Sequence, residues 1–443
     1  MNKALEGSRF FIKTFGCQMN ENDSEHLAGL LAGAGAEKAG SLEDGDIVIV
    51  NTCAVRGKSE EKADSFLGRL SALQKKRDVV IAVAGCSAQL RRGELFRGKP
   101  RIDLVIGPGC YHELPALLAE RTRGGRVATG RSREWQEIGP DKTLREDPSS
   151  AYVPIMEGCD NFCAYCVVPF ARGREKCRPM ERVLAEVADA AAQGYKEVQL
   201  LGQNVNSYRD PGTGWGFAGL LDRVSRVGGI VWVRFLTSHP RDLSPEIARV
   251  MVDRPTVCRQ IHLPLQSGSS AVLERMNRGY TRTGYMEKIA MLRAFMPGIS
   301  LSTDVIVGFP GETEADFEAT LSALEEVGYA NIFSFRYSPR PRTAAAKFAD
   351  DVPPEVKRTR LIALQDLQKR LQLSRNRAFV GTTVRVLGTG VSRKGGGRFT
   401  GRSEGFQVVN FTAPEDVRGR FVDVLVTDCG PYSLIGEYVR TIL

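Results

Sequence analysis

The segment GCDNFCAYC holds Cys159, Cys163 and Cys166 in one short stretch. Three thiolates at C-x3-C-x2-C spacing can bind three irons of a 4Fe-4S cluster and leave the fourth without a protein ligand. Such an open iron admits an exogenous chelate, which an electron from the cluster can then cleave reductively. Zinc is the alternative, but it prefers four ligands, usually from two cysteine pairs, and His26, His112, His239 and His262 all lie far from this segment. A second set, Cys17, Cys53 and Cys86, is spaced 36 and 33 residues apart, so no local motif joins it. On residues alone, a shared metal site and three buried structural thiols both remain open. Cys110 repeats the local pattern of that set, whereas Cys177, Cys258 and Cys429 stand singly and are read as packing residues.

The elements around these cysteines bring the second set together. RFFIKTF leads to Gly16-Cys17, DIVIVN to Thr52-Cys53, VVIAVA to Gly85-Cys86 and DLVIG to Gly109-Cys110. Short runs, apolar on both faces and separated by amphipathic stretches, predict buried parallel strands with crossover helices. Sites in such sheets form beyond the carboxyl ends of the strands, where these cysteines fall. Residues 1–130 are therefore expected to form an open α/β domain, and the turn-rich stretch 131–150 a linker. From residue 151 six apolar strands (YVPIME, EVQLLG, VWVRFL, CRQIHLPL, SLSTDVIVG, NIFSFRYS) alternate with helical patterns such as 180–193 and 314–327. Six units are two short of a full barrel, which predicts a partial, open (β/α)6 barrel over 151–379. Its last helix carries Leu361, Leu364, Leu367 and Leu371 at helical spacing, with basic residues expected on the other faces. Residues 380–443, short strands parted by glycine-rich turns, predict a small all-β barrel. The whole is an α/β multidomain chain.

The net charge is +9. Between Arg336 and Phe379 eleven basic residues face four acidic ones, so most of the excess sits there. A polyanion suits such a segment, and a solvated helix face is the plainer alternative. The glycine-rich hairpin with Lys394, Arg398 and Arg402 reads equally as a phosphate contact or as an ordinary β-turn. The opening residues lack the apolar run of a signal peptide, and nowhere do about 18 apolar residues occur together. A cytoplasmic protein with no membrane partner is expected, and ten cysteines there point to metal binding or catalysis rather than a disulfide framework.

The chain resembles the radical S-adenosylmethionine class in its C-x3-C-x2-C loop. Within that class it resembles the MiaB-type methylthiotransferases in FGCQMNENDSE, NTCAVRGKSEEK, AGCSAQ, DNFCAYCVVPFARGRE, LLGQNVNSY, LTSHPRDL, HLPLQSGS and STDVIVGFPGET. The resemblance implies two 4Fe-4S clusters, one on Cys159, Cys163 and Cys166 and an auxiliary one on Cys17, Cys53 and Cys86, with Cys110 left out because a fourth thiolate would close the iron that carries the sulfur. It implies S-adenosylmethionine as methyl donor and radical source, with Tyr165 beside the adenine. Gly202, Gln203, Asn204, Ser238, Gln266 and Asp304 would line the pocket, each at or just past the carboxyl end of a barrel strand. GFPGET lacks the GK[ST] ending of a phosphate loop. The tail resembles the TRAM domain, an RNA-binding barrel. The implied reaction places a methylthio group on carbon 2 of N(6)-dimethylallyladenosine, next to the anticodon of tRNA. Electrons would come from a donor such as flavodoxin or ferredoxin and sulfur from a separate source, and the enzyme would be a monomer. Sister methylthiotransferases acting on threonylcarbamoyl-adenosine or a ribosomal protein aspartate are the nearest alternative, and a non-catalytic iron-sulfur RNA-binding protein is the alternative of another class.

Overall fold

The computed structural model describes residues 4–55, 57–98, 100–120, 125–130, 132, 134–137, 143–392 and 397–442. They form two compact units: Met1–Glu146 with Met156–Phe162 and Cys166–Arg178, and Asp147–Ile155 with Cys163–Tyr165 and Pro179–Leu443. Among the described residues no helix is long and apolar enough to cross a membrane.

The first unit is built on a six-stranded parallel sheet. Its strands β1 (Arg9–Phe15), β2 (Glu37–Lys38), β3 (Ile47–Thr52), β4 (Val80–Ala84), β5 (Leu104–Ile106) and β6 (Arg126–Ala128) lie in the order β2-β1-β3-β4-β5-β6. Every residue of β3 is buried because both sheet faces are covered. Ile47 and Ile49 meet Leu27 and Leu31 of α1 (Gln18–Gly33) and Leu114 of α2 (Leu114–Ala119). On the other face Val48 and Val50 meet Phe66 and Leu70 of the helix Gly57–Gln74. An antiparallel pair, Met156–Glu157 with Lys176–Cys177, belongs to this unit. The stretch read as a featureless linker is tied here too: Leu144 N–H donates to the Glu25 carbonyl (3.1 Å), and Glu137 accepts from Arg178 Nε (3.1 Å).

The second unit contains the predicted six-stranded partial barrel. Strands β7 (Ser150–Pro154), β8 (Glu197–Leu201) and β9 (Trp232–Phe235) pair in parallel, as do β10 (Gln260–His262), β11 (Ser300–Val307) and β12 (Asn331–Arg336). An isolated parallel bridge ties Val233 of β9 to Val257, in the segment that leads into β10. In β11 burial alternates: Leu301, Thr303, Val305 and Val307 are buried, while Ser302, Asp304 and Ile306 are half-exposed on the other face. The tail closes into a five-stranded barrel, β13 (Thr383–Val391), β14 (Phe399–Ser403), β15 (Val408–Thr412), β16 (Phe421–Cys429) and β17 (Leu434–Thr441), around Val386, Phe411, Val424 and Leu434. It seats on the amino-terminal ends of the larger barrel's strands. Trp232 packs edge-on against Phe421 (4.6 Å between centroids), and Arg234 donates to the carbonyls of Ser403 (2.8 Å) and Glu404 (2.6 Å).

The basic segment is less outward-facing than its composition suggests. In the helix Pro354–Arg377, Leu364 and Leu367 are buried as the spacing predicts, but so are Lys357 and Arg360. Lys357 pairs with Asp350, and Arg360 with Glu312 (3.4 Å) and Glu314 (3.0 Å). Arg358, Lys369 and Arg370 pair with Glu355, Asp366 and Glu325. In the basic hairpin Arg402 turns inward over the Phe406 ring (4.8 Å), Arg398 is exposed, and Lys394 lies outside the described residues.

Candidate functional site

In the first unit the ends of β1, β3 and β4 bring Cys17, Cys53 and Cys86 together. Cys17 caps the amino terminus of α1, where the helix dipole favours a thiolate. A hydrogen bond from the Cys53 thiol, opposed by burial and helped by the Arg172 charge, draws the Cys17 thiol down to about 5. The same bond and burial push the Cys53 thiol up. Burial also raises the Cys86 thiol against the pull of Arg172, whose Nε donates to Cys86 Sγ at 3.3 Å. Arg172 is itself held by Asp23 and by Glu157 (3.2 Å). Buried carboxamides frame the site: Asn20 Oδ1 accepts from Cys17 N–H (3.3 Å), and Asn20 Nδ2 donates to Asn51 Oδ1 (3.2 Å). Gly85 must be glycine, since its φ is +96° and a Cβ would stand 2.4 Å from Asn51 Oδ1. Cys110 is not part of this group. Its sulfur accepts from Gly130 N–H (3.0 Å) within the apolar core beside α2.

The loop after β7 carries the other three cysteines. Gly158 opens it at φ +83°, where a Cβ would meet the Arg174 carbonyl at 2.0 Å. Phe162, exposed between Cys159 and Cys163, adopts φ +46°, a conformation unfavourable for a bulky side chain. In the second unit Ala164 is fixed on both sides, by its N–H to the Met276 carbonyl (2.8 Å) and by its carbonyl to Ala345 N–H (2.7 Å). Cys163 Sγ accepts from Arg278 Nη1 (3.1 Å), whose Nε donates to Tyr280 Oη (3.0 Å). Tyr165 packs on the cluster of Phe309 and Tyr337. Among the described residues no three His, Cys, Asp or Glu side chains are grouped to hold a single metal ion. The donor set is three thiolates in one loop with none of the four histidines near it in sequence, which suits three irons of a 4Fe-4S cluster better than the four ligands of a structural zinc.

The motif residues of the second unit converge at the carboxyl ends of the barrel strands. Gly202, Gln203 and Asn204 follow β8, Ser238 follows β9, and Gln266 follows β10. Thr237 (φ +68°) and Gln266 (φ +66°) hold backbone conformations that cost energy outside glycine, a pattern common where a site over-determines its residues. Several buried polar atoms there have no hydrogen-bond partner among the described residues: Asn204 Oδ1, Asn206 Nδ2, Ser238 Oγ, His239 Nε2 and Gln266 Oε1. His239 Nδ1 accepts from Arg241 N–H, and burial with Arg278 and Arg241 lowers its pKa to about 2, so a neutral ring presents Nε2–H. Its ring lies 5.7 Å from that of Tyr280, the residue that holds Arg278 against Cys163. Burying this many unpaired polar atoms is costly unless a polar ligand meets them. Asp304 departs from its expected place: it lies within β11 and faces His262 Nε2 (3.3 Å). Sequence reasoning missed Arg172, Arg278 and Asn206. Asn206 and Arg172 stood inside quoted motifs, while nothing local marked Arg278.

Family models match three stretches: Uncharacterized protein family UPF0004 at residues 9–107, the Radical SAM superfamily at 153–324 and the TRAM domain at 377–439. A tRNA-2-methylthio-N(6)-dimethylallyladenosine synthase from Geobacter sulfurreducens is 46% identical over 439 residues, 98% of either chain. One of the same name from Solibacter usitatus is 43% identical over 442 residues, again 98% of each. Among solved structures, the radical S-adenosylmethionine methyltransferase TsrM from Kitasatospora setae, with cobalamin and a [4Fe-4S] cluster bound, superposes with a TM-score of 0.53 at 16% identity, covering 76% of this chain and 74% of that one. The cobalamin-dependent S-adenosylmethionine radical enzyme OxsB gives 0.53 at 12% identity over 82% of this chain, which spans 56% of OxsB's length. These two likenesses concern the fold. The relatives, alike from end to end and at more than two residues in five, settle the lineage: the chain belongs to the family of tRNA-2-methylthio-N(6)-dimethylallyladenosine synthases, radical S-adenosylmethionine proteins with a carboxyl-terminal TRAM domain.

Proposed function

We propose that the protein adds a methylthio group to carbon 2 of N(6)-dimethylallyladenosine beside the anticodon of tRNA, using two 4Fe-4S clusters and S-adenosylmethionine. Cys159, Cys163 and Cys166 hold one cluster, and Cys17, Cys53 and Cys86 the other. Bound there, the clusters and S-adenosylmethionine supply the radical and the methylated sulfur. The protein's own groups bind, orient and exclude water. The observation that carries the reading is the set of unpartnered buried groups from Asn204, Asn206, Ser238, His239 and Gln266, linked through Tyr280 and Arg278 to Cys163. Two donors, Asn206 Nδ2 and His239 Nε2, alternate with carbonyl and hydroxyl oxygens, which suits the carboxylate, ammonium and ribose hydroxyls of S-adenosylmethionine. Tyr165 offers an aromatic face, and Gly202, Gln203 and Asp304 complete the lining. Domains at 1–130, 151–379 and 380–443, joined by 131–150, divide the work into sulfur site, radical site and tRNA contact. The protein acts as a cytoplasmic monomer, with flavodoxin or ferredoxin as electron donor and a separate sulfur source.

The test is nucleoside analysis of tRNA from a strain lacking its own methylthiolation and expressing this chain. The 2-methylthio derivative of N(6)-dimethylallyladenosine should appear. A methylthiolated threonylcarbamoyl-adenosine in its place would assign the chain to the sister branch. Failure of the reconstituted protein to cleave S-adenosylmethionine reductively would leave only an iron-sulfur RNA-binding protein.

A further inference from the structure

Each cysteine site holds one buried arginine aimed at one of its sulfurs. In the first unit Arg172 Nε stands 3.3 Å from Cys86 Sγ, and in the second Arg278 Nη1 stands 3.1 Å from Cys163 Sγ. Both residues are about as buried as core side chains, at 6% and 5% exposure. A buried guanidinium is costly, and it keeps its charge because its proton is not lost in proteins.

The surroundings argue that neither is a mere structural ion pair. Among the described residues Arg278 has no carboxylate hydrogen-bond partner; it donates to the Tyr280 hydroxyl and to Cys163 sulfur, with its carbon 5.2 Å from the Tyr280 ring centre. Its charge is thus left to be balanced at the sulfur. Arg172 does have carboxylates, Asp23 and Glu157, but Glu157 is shared with Lys176 at 3.0 Å. Two cations therefore meet two carboxylates there, and the thiolates of Cys17, Cys53 and Cys86 add negative charge to an already neutral group. The arginine is the cation in contact with that added charge. Geometry is also specific: both bonds run from guanidinium N–H to sulfur, and hydrogen bonds to cluster sulfurs are among the levers that set a cluster's potential.

We propose that Arg172 and Arg278 are positioning residues, one for each cluster, that set its reduction potential by placing a fixed positive charge on a single ligand sulfur. The inference rests on the reading that the cysteines hold clusters. A positive charge at the sulfur favours the reduced, more negative cluster, so its removal must lower the potential. The two effects should be separable, because each arginine touches only its own set of cysteines among the contacts described.

The experiment is an EPR-monitored redox titration of the full-length protein, reconstituted anaerobically with iron and sulfide, in Cys159→Ala and Cys17→Ala backgrounds that isolate one cluster each. With the auxiliary cluster isolated, Arg172→Gln should make reduction at least tenfold harder, about 59 mV more negative for a one-electron couple. Arg172→Lys should keep most of the parent potential. Arg172→Gln with Asp23→Asn, which removes one charge of each sign, should recover part of the loss. With the loop cluster isolated, Arg278→Gln should give the same downward shift and Arg278→Lys should restore it. If Gln blocks folding, seen as loss of the parent circular dichroism, the Lys variants still decide: a Lys variant that folds, binds iron and yet has a potential about 59 mV or more from the parent, a tenfold change in the reduction equilibrium, overturns the proposal. Clusters that form in the Gln variants with unchanged potential overturn it too. A parent protein that takes up no iron would instead refute the cluster reading itself.

Discussion

Replacing Arg234 with methionine should loosen the seat of the small β-barrel by about 3–5 kcal/mol, the cost of leaving one partner of a buried ion pair uncompensated. Side chains of Arg234 and Glu197 are 0% and 3% exposed and meet at 2.7 Å. Methionine would keep much of the apolar contact with Trp232 and Phe406, whose ring centres lie 4.7 Å and 5.1 Å from the guanidinium. It would remove the donors to Glu197 and to the carbonyls of Ser403 and Glu404. What remains is a carboxylate that accepts from Gln199 Nε2 at 2.9 Å. Against a total stability of roughly 5–15 kcal/mol for a domain, that loss should expose the junction near Arg377 to trypsin and lower the urea midpoint. Adding Glu197→Gln to the methionine variant removes the stranded charge and should recover on the order of 1–3 kcal/mol, the range of coupling between contacting residues. Urea unfolding followed by tryptophan fluorescence, with trypsin cleavage in parallel, measures both. A methionine variant within about 1 kcal/mol of the parent, or a double variant no better than the single, would refute the argument that this buried pair fastens the domain.

Three further outcomes are expected. Reconstituted protein should carry about eight irons, Cys17→Ala and Cys159→Ala about half each, and Cys110→Ala the full complement by colorimetric iron assay; half the iron from the last variant would show Cys110 to be a ligand. Affinity for tRNA should fall with salt, and Arg398→Ala should reduce the slope by roughly one ion while Lys357→Ala leaves it unchanged; equal slopes for Arg398→Ala and parent would remove that side chain from the phosphate contacts. Burial raises the Glu312 carboxyl to about 7 from an ordinary 4.5, so the folded protein binds its proton more tightly than the unfolded chain. Its contribution is then complete below pH 4.5 and is lost as pH rises through 7. Melting temperatures across that window should decline less in Glu312→Gln than in the parent, and identical pH profiles would show that Glu312 does not titrate there.

What the sequence displays and what it hides follow from how each feature is encoded. Buried strands such as Ile47–Thr52 and Val80–Ala84 are legible because an apolar run between turn residues has few other uses. The six barrel strands and the first four of the tail are legible for the same reason, whereas the fifth tail strand, Leu434–Thr441, is not marked out in this way. The three-cysteine loop is local and needs no fold at all. Charge is harder to read, because composition gives a sign and not a partner. Lys357 finds Asp350 seven residues away, but Arg360 finds Glu312 across 48, so a segment that looks like a free cationic face is partly spent on its own acids. Arg172 meets Asp23 across 149 residues, and Arg278 meets Cys163 across 115. Nothing periodic marks either one.

The same distinction explains why glycine precedes so many of the cysteines. A ligand thiol at a strand end must turn out of the sheet toward a shared point, and the residue before it carries that turn. At Gly85 the carboxamide of Asn51, from the neighbouring strand β3, fills the space a side chain would need, and the same carboxamide network reaches Asn20 and through it Cys17. The glycine before one cysteine is thus required by the hydrogen bonds that position another. At Gly158 the obstruction is instead the backbone of Arg174, just ahead of the strand Lys176–Cys177 that returns past the loop. Two different local causes yield one dipeptide. At Gly16 the crowding comes from the chain just ahead, where a Cβ would stand 2.3 Å from Asn20 Oδ1, while at Cys110 it is the sulfur itself that is capped, by Gly130 N–H. The dipeptide marks crowding behind a thiol, and it takes the company of other cysteines to make that thiol a ligand.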